Sequence, residues 1–86
     1  MKPVVHVTSV EPLDGFRLRL TFEDRTRGEI DLAEELWGPV FEPLRDRAVF
    51  IQVTVDQDCG TIVWPNGADF APEWLYEVVR AQHAST

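Results

Sequence analysis

The sequence has little of what builds disulfides, metal centres and membrane spans. Its 86 residues include one cysteine and two histidines. Cys59 therefore has no partner for an internal disulfide, and His6 and His83 lack the spacing of a transition-metal site. No apolar run approaches the roughly 18 residues of a spanning helix, and no secretory leader is recognisable. These absences predict a cytoplasmic protein with no metal, no cofactor and no membrane partner.

Basic residues are also scarce, with 8 lysines and arginines against 15 acidic side chains and a formal net charge of −7. An acidic chain repels the phosphate backbone, whose binding depends on neutralisation by Lys and Arg. We expect no nucleic-acid binding by this chain alone. The length fits one domain, residues 1–86, without a linker or repeat and too small for a large internal cavity.

What the sequence does contain is a series of strand patterns separated by turn signals. Residues 4–10 are rich in β-branched side chains, and residues 12–15 read Pro-Leu-Asp-Gly, which is typical of a turn. Residues 16–22 then place an apolar side chain at every second position, the period of a strand with one wet face. Two hairpins are predicted, with loops at residues 12–15 and 23–27.

The apolar pattern also predicts how these strands pair. In the first hairpin Glu11 is expected opposite Phe16, so that Val7 faces Leu20 and Val5 faces Phe22. In the second hairpin the expected pairs are Leu20 with Ile30, Leu18 with Leu32, and Arg19 with Asp31.

The second half predicts shorter elements and one substantial helix. Residues 31–36 fit a short helix with Asp31 as its N-cap, and residues 40–44 fit a further turn. Alternation predicts a fourth strand over residues 49–56 and a fifth over residues 60–64. Pro72 suits a first helical position, and apolar residues repeat at helical spacing from there to a polar tail at His83. The predicted fold is a two-layer α+β domain with a mainly antiparallel five-stranded sheet, in the order β-β-β-(short α)-β-β-α, whose closing helix covers one face.

The sharpest local signal is the turn after the fifth strand. The run Gly60-Thr61-Ile62-Val63-Trp64 stops at Pro65-Asn66-Gly67, where Pro presets φ and Asn-Gly tolerates positive φ. The chain must leave the sheet here. Residues 22–24, 38–46 and 60–69, together with Pro72, Leu75 and Tyr76, resemble a bacterial family known as domain of unknown function 2442.

This resemblance implies a small α+β domain and supplies no catalytic residues. Some relatives carry an added helix-turn-helix region, which would begin where this chain ends. Relatives also tend to be encoded beside another small protein, which implies a toxin-antitoxin-like pairing. Relatives often have Gly after Glu-Asp in the second hairpin loop, where this chain has Arg25. We therefore expect that loop to be longer and less tight here.

Two sets of residues are candidates for function. The first is a binding or structural motif around the turn: Trp64, Pro65, Asn66, Gly67, Asp69 and Tyr76. The carboxylate of Asp69 could serve as an acid, as a ligand or as a substrate clamp. The favoured interpretation is that it accepts hydrogen bonds from backbone N–H groups of the turn, and Asn66 is interpreted in the same way. Trp64 and Trp74 either line a groove or, as favoured, pack in the core.

The second set is a candidate interaction surface: Arg17, Arg19, Arg25, Arg27, Glu34 and Glu35. The arginines form a basic stripe for nucleic acid or an acidic partner, or, as favoured, a solvated face in which Glu29 and Asp31 lie within cross-strand reach. A complementary acidic patch either attracts a basic protein partner or keeps the chain soluble, and its members are Glu29, Asp31, Glu34, Glu35 and Glu42. Cys59 with His6 as nucleophile and base is disfavoured, because no orienting group or oxyanion site is evident.

The leading hypothesis is a non-enzymatic protein-interaction module, the antitoxin-like partner of a neighbouring small protein. One alternative is a transcription-associated domain without its own helix-turn-helix, since residues 71–86 offer a single helix. Another is a small-ligand binder or enzyme that uses Trp64, Asn66, Asp69 and Tyr76. The open sheet edges also predict a weak homodimer through the first strand or the aromatic side chains near the helix.

Overall fold

The computed structural model describes residues 5–84, with side chains described through residue 82. Three strands open the chain: β1 at Val7–Pro12, β2 at Arg17–Phe22 and β3 at Arg27–Asp31. Two short 3₁₀ helices follow, Ala33–Glu35 and Glu42–Arg45, and then a single helical turn, α1, at Arg47–Phe50. The remaining elements are β4 at Thr54–Asp56, β5 at Thr61–Val63 and α2 at Pro72–Ala84.

The architecture is α+β with two antiparallel sheets. The first has the order β1-β2-β3 and the second pairs β4 with β5. A backbone hydrogen bond of 2.9 Å from the Val7 N–H to the Gly60 carbonyl joins β1 to the residue before β5. The prediction of a single five-stranded sheet is not confirmed, because β4 and β5 have three residues each and form a separate ladder.

The first hairpin has a different register from the one predicted. Leu13 N–H donates to the Arg17 carbonyl at 2.8 Å, and Glu11 pairs with Arg19 rather than with Phe16. A bulge between Val7 and Ser9 then changes the pairing, so that Val7 lies opposite Phe22. The bulge keeps Val7 on the core face, where it is buried. The pairs Val7 with Leu20 and Val5 with Phe22 were therefore wrong, and Val4 lies outside the described residues.

The second hairpin is displaced by two residues from its predicted register. Leu20 pairs with Gly28, Leu18 with Ile30 and Arg19 with Glu29. The apolar face is preserved, since a shift of two leaves every side chain on its side of the sheet. The physical reason for the shift is the loop, which is two residues shorter than predicted, because the bond from Phe22 N–H to the Thr26 carbonyl leaves only residues 23–25 between the strands. Helix α2 packs on this hairpin at Gly28, where a Cβ atom would lie 2.6 Å from Cγ1 of Val79.

The loop of this hairpin is tight, contrary to the expectation drawn from Arg25. Arg25 N–H donates to the Phe22 carbonyl at 2.9 Å, and Phe22 N–H donates to the Thr26 carbonyl at 2.8 Å. Arg25 itself has φ of 73°, a left-handed conformation that favours glycine. The loop keeps the geometry of a glycine turn, and the arginine is strained to fit it.

The predicted fourth strand was wrong over its first half. The Oδ1 atom of Asp46 accepts a hydrogen bond from Ala48 N–H at 3.0 Å and caps the helical turn α1. Phe50 and Val53 are buried, whereas Ile51 is 49% exposed. Inward positions three residues apart fit a helical turn and not a strand. The strand begins at Thr54.

The remaining predicted elements are found with small changes. The helix predicted at residues 31–36 is a 3₁₀ helix at Ala33–Glu35, and the assignment of Asp31 as its N-cap was wrong, because Asp31 ends β3 and Leu32 is the cap, although Oδ1 of Asp31 accepts a hydrogen bond from Ala33 N–H at 2.9 Å. Helix α2 begins at Pro72 as predicted and continues through His83 to Ala84. Its buried residues Leu75 and Val79 join the core formed by β1, β2 and β3. No helix among residues 5–84 is long and apolar enough to cross a membrane.

Candidate functional site

The predicted turn at residues 64–69 is built by its own backbone and by Asn66. Trp64 N–H donates to the Ala68 carbonyl and Gly67 N–H to the Trp64 carbonyl, each at 2.9 Å. Gly67 has φ of 90°, which glycine adopts without strain. The Oδ1 atom of Asn66 accepts a hydrogen bond from Ala68 N–H at 3.1 Å, which confirms its interpretation as a turn residue. Pro65 is exposed on the outside of the turn.

Trp64 packs in the core, as favoured from the sequence. Its indole is buried, and Nε1–H donates to the Phe50 carbonyl at 2.9 Å. Its ring lies 5.9 Å from those of Phe50 and Phe70, and Phe70 stacks on the half-buried Trp74 at 5.4 Å. The two tryptophans thus belong to one aromatic cluster, in which the Phe70 ring contacts both of them.

The hydrogen bond expected for Asp69 is not found. Its backbone forms an isolated bridge with Val63, whereas its exposed carboxylate accepts no hydrogen bond within residues 5–84. The side chain that accepts a backbone hydrogen bond in the turn is that of Asn66. Asp69 therefore remains an exposed carboxylate beside the turn.

Tyr76 is held on the side of α2 that faces the second hairpin. Its hydroxyl donates to Oδ2 of Asp24 at 2.6 Å and accepts from Arg80 at 3.1 Å, and its ring meets Phe22 edge-on at 5.1 Å. The Tyr76 hydrogen bond, followed by one from Thr26, lowers the pKa of Asp24 below its ordinary value. Among the described side chains, no hydrogen bond or ring contact links Tyr76 to residues 64–69.

The arginine stripe is partly neutralised within the sheet. Arg17 lies 3.2 Å from Glu29, and Arg19 lies 3.0 Å from Glu11 and 3.4 Å from Glu29. The cross-strand pairing expected for this face is thus present with Glu29, and each exposed pair contributes at most about 1 kcal/mol. The shallow hollow beside it is lined in part by Arg25 and Arg27.

Cys59 is exposed and lies in an acidic turn. The Asp56 carboxylate, which accepts hydrogen bonds from Asp58 and Cys59 N–H, is the main cause that raises the pKa of the Cys59 thiol. A raised pKa disfavours the thiolate that a nucleophile requires. The imidazole of His6 packs against Gly60, the next residue, and its Nδ1 lies 3.6 Å from Glu23. The environment of Cys59 is therefore opposite to that of an activated cysteine.

The largest exposed apolar side chain among the described residues is Trp37, which the sequence patterns did not single out. It is 70% exposed, and Val40 in the same segment is 49% exposed. No described ring or cation lies over its indole, and its Nε1–H has no hydrogen-bond partner in residues 5–84. Such a tryptophan is unusual on a surface, because an indole normally buries most of its area.

The segment that carries Trp37 is fixed at both of its ends. On one side Leu36 is fully buried, and its carbonyl accepts a hydrogen bond from Nε of Arg45 at 2.6 Å. On the other side the Val40 carbonyl accepts a hydrogen bond from Asn66 Nδ2 at 2.9 Å, and the Phe41 ring lies 5.0 Å from Phe70. The predicted turn therefore has a second role, which is to hold the Trp37 segment in place.

Three carboxylates flank this segment: Glu34, Glu35 and Glu42. Glu34 and Glu42 are exposed and Glu35 is half-buried. None forms an ion pair or hydrogen bond through its side chain within residues 5–84, in contrast to the glutamates of the sheet face, Glu11, Glu23 and Glu29. We call Glu34, Glu35, Trp37, Val40 and Glu42 the Trp37 patch. The three glutamates were predicted to belong to an acidic patch for a basic partner, whereas Trp37 and Val40 were not predicted to lie in an interaction surface.

A signal for the missed residues exists in the sequence. Trp37 stands between an amphipathic segment and a Gly-Pro pair, so it belongs to no periodic element that would bury it.

A metal site has no comparable signal in the sequence. Within the described residues no group of three or more His, Cys, Asp and Glu side chains is arranged to hold an ion.

Comparison with known families and proteins gives one result. Residues 7–81 match the family model described as a protein of unknown function, DUF2442. No curated protein and no solved structure matches the chain.

Proposed function

Because the chain belongs to the DUF2442 family, which brings no assigned activity with it, we propose a function from its own surface: a non-enzymatic module that binds a basic protein through the Trp37 patch. The observation that carries the proposal is the exposed indole of Trp37 on a segment held at both ends. The acidic composition favours one form of this function, in which the module acts like an antitoxin and covers the surface of a basic partner.

The energetic argument rests on the area of Trp37. Covering the 70% of the side chain that is exposed would remove roughly 100–170 Å² from water, equivalent to roughly 3–4 kcal/mol. Tryptophan is also among the residues most enriched at the energetic centres of interfaces. One anchor of this size, with Val40 beside it, is sufficient to dominate a small interface.

The fixed backbone favours binding further. The hydrogen bonds from Arg45 to Leu36 and from Asn66 to Val40 hold the segment before any partner arrives. A surface that is already ordered loses less conformational entropy on association than a flexible loop does. The proposal therefore predicts a patch with the same conformation in the free and bound protein.

The charge of the patch selects the partner. Glu34, Glu35 and Glu42 have no ion-pair partner among residues 5–82, and the whole chain carries a net charge of −7. A basic partner is attracted and oriented by this field, whereas a second copy of the same acidic patch is repelled. A hetero-association is therefore favoured over a homodimer through this surface. Val7 is buried and its N–H is already bonded to Gly60, so the first strand offers no free edge at that residue.

The test is capture from the source organism with three baits: the wild-type chain, Trp37→Ala and Ile51→Ala. Ile51 is the matched control, because it is also a large exposed apolar residue but lies outside the patch. We expect a basic protein, the product of a neighbouring gene among the candidates, on the wild-type and Ile51→Ala baits and not on Trp37→Ala. The purified partner must then bind the purified chain. Equal capture by all three baits would contradict the proposal.

The other two functions remain alternatives with their own measurements. Sequence-specific binding of DNA by the isolated chain at physiological salt would favour the transcription-associated domain. A ligand at one hundred times its Kd stabilises a fold by about 2.7 kcal/mol, so a thermal-shift screen of metabolites tests the ligand-binding alternative at Trp64, Asn66, Asp69 and Tyr76.

A further inference from the structure

The carboxylates and the indole of the Trp37 patch have complementary preferences for one chemical group. An indole face attracts cations through its quadrupole, more strongly than the rings of Phe or Tyr do. Carboxylates at the rim attract the same cations through charge, and a guanidinium matches both, since it is planar and forms paired hydrogen bonds with carboxylates.

The rest of the molecule does not satisfy these groups. Arg80 lies over Tyr76 at 5.7 Å and Arg47 over Phe50 at 5.9 Å, so cation–ring contacts occur elsewhere in the fold. Over Trp37 no such cation is present among the described residues. Arg45 is the arginine nearest to Trp37 in the sequence, and it donates its Nε–H to the Leu36 carbonyl. Within the described part of the chain, the indole and the three carboxylates are therefore available to a cation from another molecule.

We infer that the Trp37 patch is a recognition site for an arginine or lysine side chain of the partner, which stacks on the Trp37 indole and is attracted by the carboxylates of Glu34, Glu35 and Glu42, all within five residues of Trp37 in the sequence. This inference rests on the proposed function and specifies the chemistry of its partner. A partner that used an apolar side chain alone would make no use of the three carboxylates. The ligand class is a cationic peptide segment, and arginine is preferred over lysine because of its planar group.

The probe is an N-acetylated, amidated hexa-arginine peptide, added to the ¹⁵N-labelled full chain and followed by the indole N–H signals of the three tryptophans. The Trp37 signal is assigned from its loss in Trp37→Leu. We expect a saturable shift of the Trp37 signal and little change in that of the buried Trp64. Hexalysine should bind more weakly, and a Gly-Ser peptide of equal length should not shift the signal.

Two variants separate the components of the site. Trp37→Leu keeps an apolar side chain but removes the aromatic face, and should weaken hexa-arginine binding by about threefold, as expected for an exposed cation–π contact. The triple variant Glu34→Gln, Glu35→Gln and Glu42→Gln should weaken it by about tenfold. Binding by the variants is followed through the backbone N–H signals of residues 37–42. The matched control is Asp14→Asn, Glu73→Gln and Glu77→Gln, which removes the same charge elsewhere and should change affinity less than twofold at 0.15 M salt, where screening acts over about 8 Å.

The outcomes are distinguishable from those of the partner capture. If hexa-arginine shifts signals elsewhere, or if both triple variants weaken it equally, the cation site is overturned, even where Trp37→Ala still abolishes capture of the protein partner. If the peptide binds at Trp37 and the two triple variants differ as stated, the cation site is supported, whether or not capture succeeds.

Discussion

Gly28 and Val79 meet where helix α2 crosses the sheet, and a Cβ atom on Gly28 would lie 2.6 Å from Cγ1 of Val79. Real Cβ atoms do not approach another carbon this closely, so one of the two elements must move if the glycine is replaced. The contact sets the distance between the two layers. The short loop at residues 23–25 places Gly28, and not Ile30, opposite Leu20 and so brings the glycine to this contact.

The first prediction is that Gly28→Ala destabilises the fold. Elsewhere in a strand the replacement of Gly by Ala would gain roughly 0.5–1 kcal/mol, but the clash with buried Val79 should reverse the sign and cost roughly 1–3 kcal/mol. Urea unfolding of the two single variants and of Gly28→Ala with Val79→Ala measures the coupling. The cost of Gly28→Ala should shrink in the Val79→Ala background. An unchanged cost would show that the contact with Val79 is not the cause of the destabilisation.

The second prediction concerns the strained loop residue. Arg25 has φ of 73°, which costs a non-glycine residue roughly 1–2 kcal/mol, whereas glycine in the unfolded chain has greater conformational entropy. We expect Arg25→Gly to raise the free energy of unfolding by roughly 0.5–1 kcal/mol once both effects are counted. Arg25→Ala is the control, because it removes the charge and keeps the strain, and it should give no such gain. Equal gains from both variants would assign the effect to charge.

These two residues show what the sequence was able to predict and what it was not. The strand period of residues 16–22 and the helix start at Pro72 are local signals, and both predicted elements exist. The register depends on the length of the second hairpin loop, and Arg25 adopts the left-handed conformation there that a glycine would have signalled in the sequence. The loop was therefore predicted two residues too long, which placed Ile30 opposite Leu20 instead of Leu18.

Two further differences have physical causes of the same kind. The alternation in residues 49–56 predicted a strand, but the cap from Asp46 favours a helical turn at its start. Trp37 was missed because periodicity identifies faces of regular elements, and this residue lies outside them. In the candidate site, Asn66 was correctly interpreted as a turn residue, but its bond to the Val40 carbonyl spans 26 residues and has no local signal.

The third prediction is a pH dependence at Asp24. The hydrogen bond from Tyr76 lowers the pKa of Asp24 below 3.8 in the folded protein, so the folded state favours the ionised carboxylate. The resulting stabilisation is present above the unfolded pKa and is lost as pH falls through the lowered folded pKa. Tyr76→Phe keeps the ring against Phe22 and removes the hydroxyl. The stability difference between wild type and Tyr76→Phe, measured by urea unfolding from pH 7 to pH 2, should shrink below about pH 4. A stability difference that is constant over this pH range would show that ionisation of Asp24 does not contribute to the stabilisation by Tyr76.

The fourth prediction compares two tryptophans of the aromatic cluster. Trp64→Phe loses volume in the core and removes one of the two donors to the Phe50 carbonyl, which keeps only the longer bond from Val53 N–H at 3.3 Å, so it should cost roughly 2–4 kcal/mol. Trp74→Phe, at a half-buried position stacked on Phe70, should cost less than about 1.5 kcal/mol. Thermal and urea unfolding of both variants checks the order. The reverse order would place the centre of the cluster at Trp74.

The most direct test of the Trp37 patch measures stability and binding on the same variant. Trp37 is 70% exposed and has no described hydrogen bond, so Trp37→Ala should change the free energy of unfolding by less than about 0.5 kcal/mol. The captured partner, once purified, should bind Trp37→Ala at least about 30-fold more weakly than wild type, which corresponds to a truncation cost of about 2 kcal/mol. Unchanged affinity, or a loss of stability large enough to account for the loss of binding, would contradict the assignment of Trp37 to a docking surface.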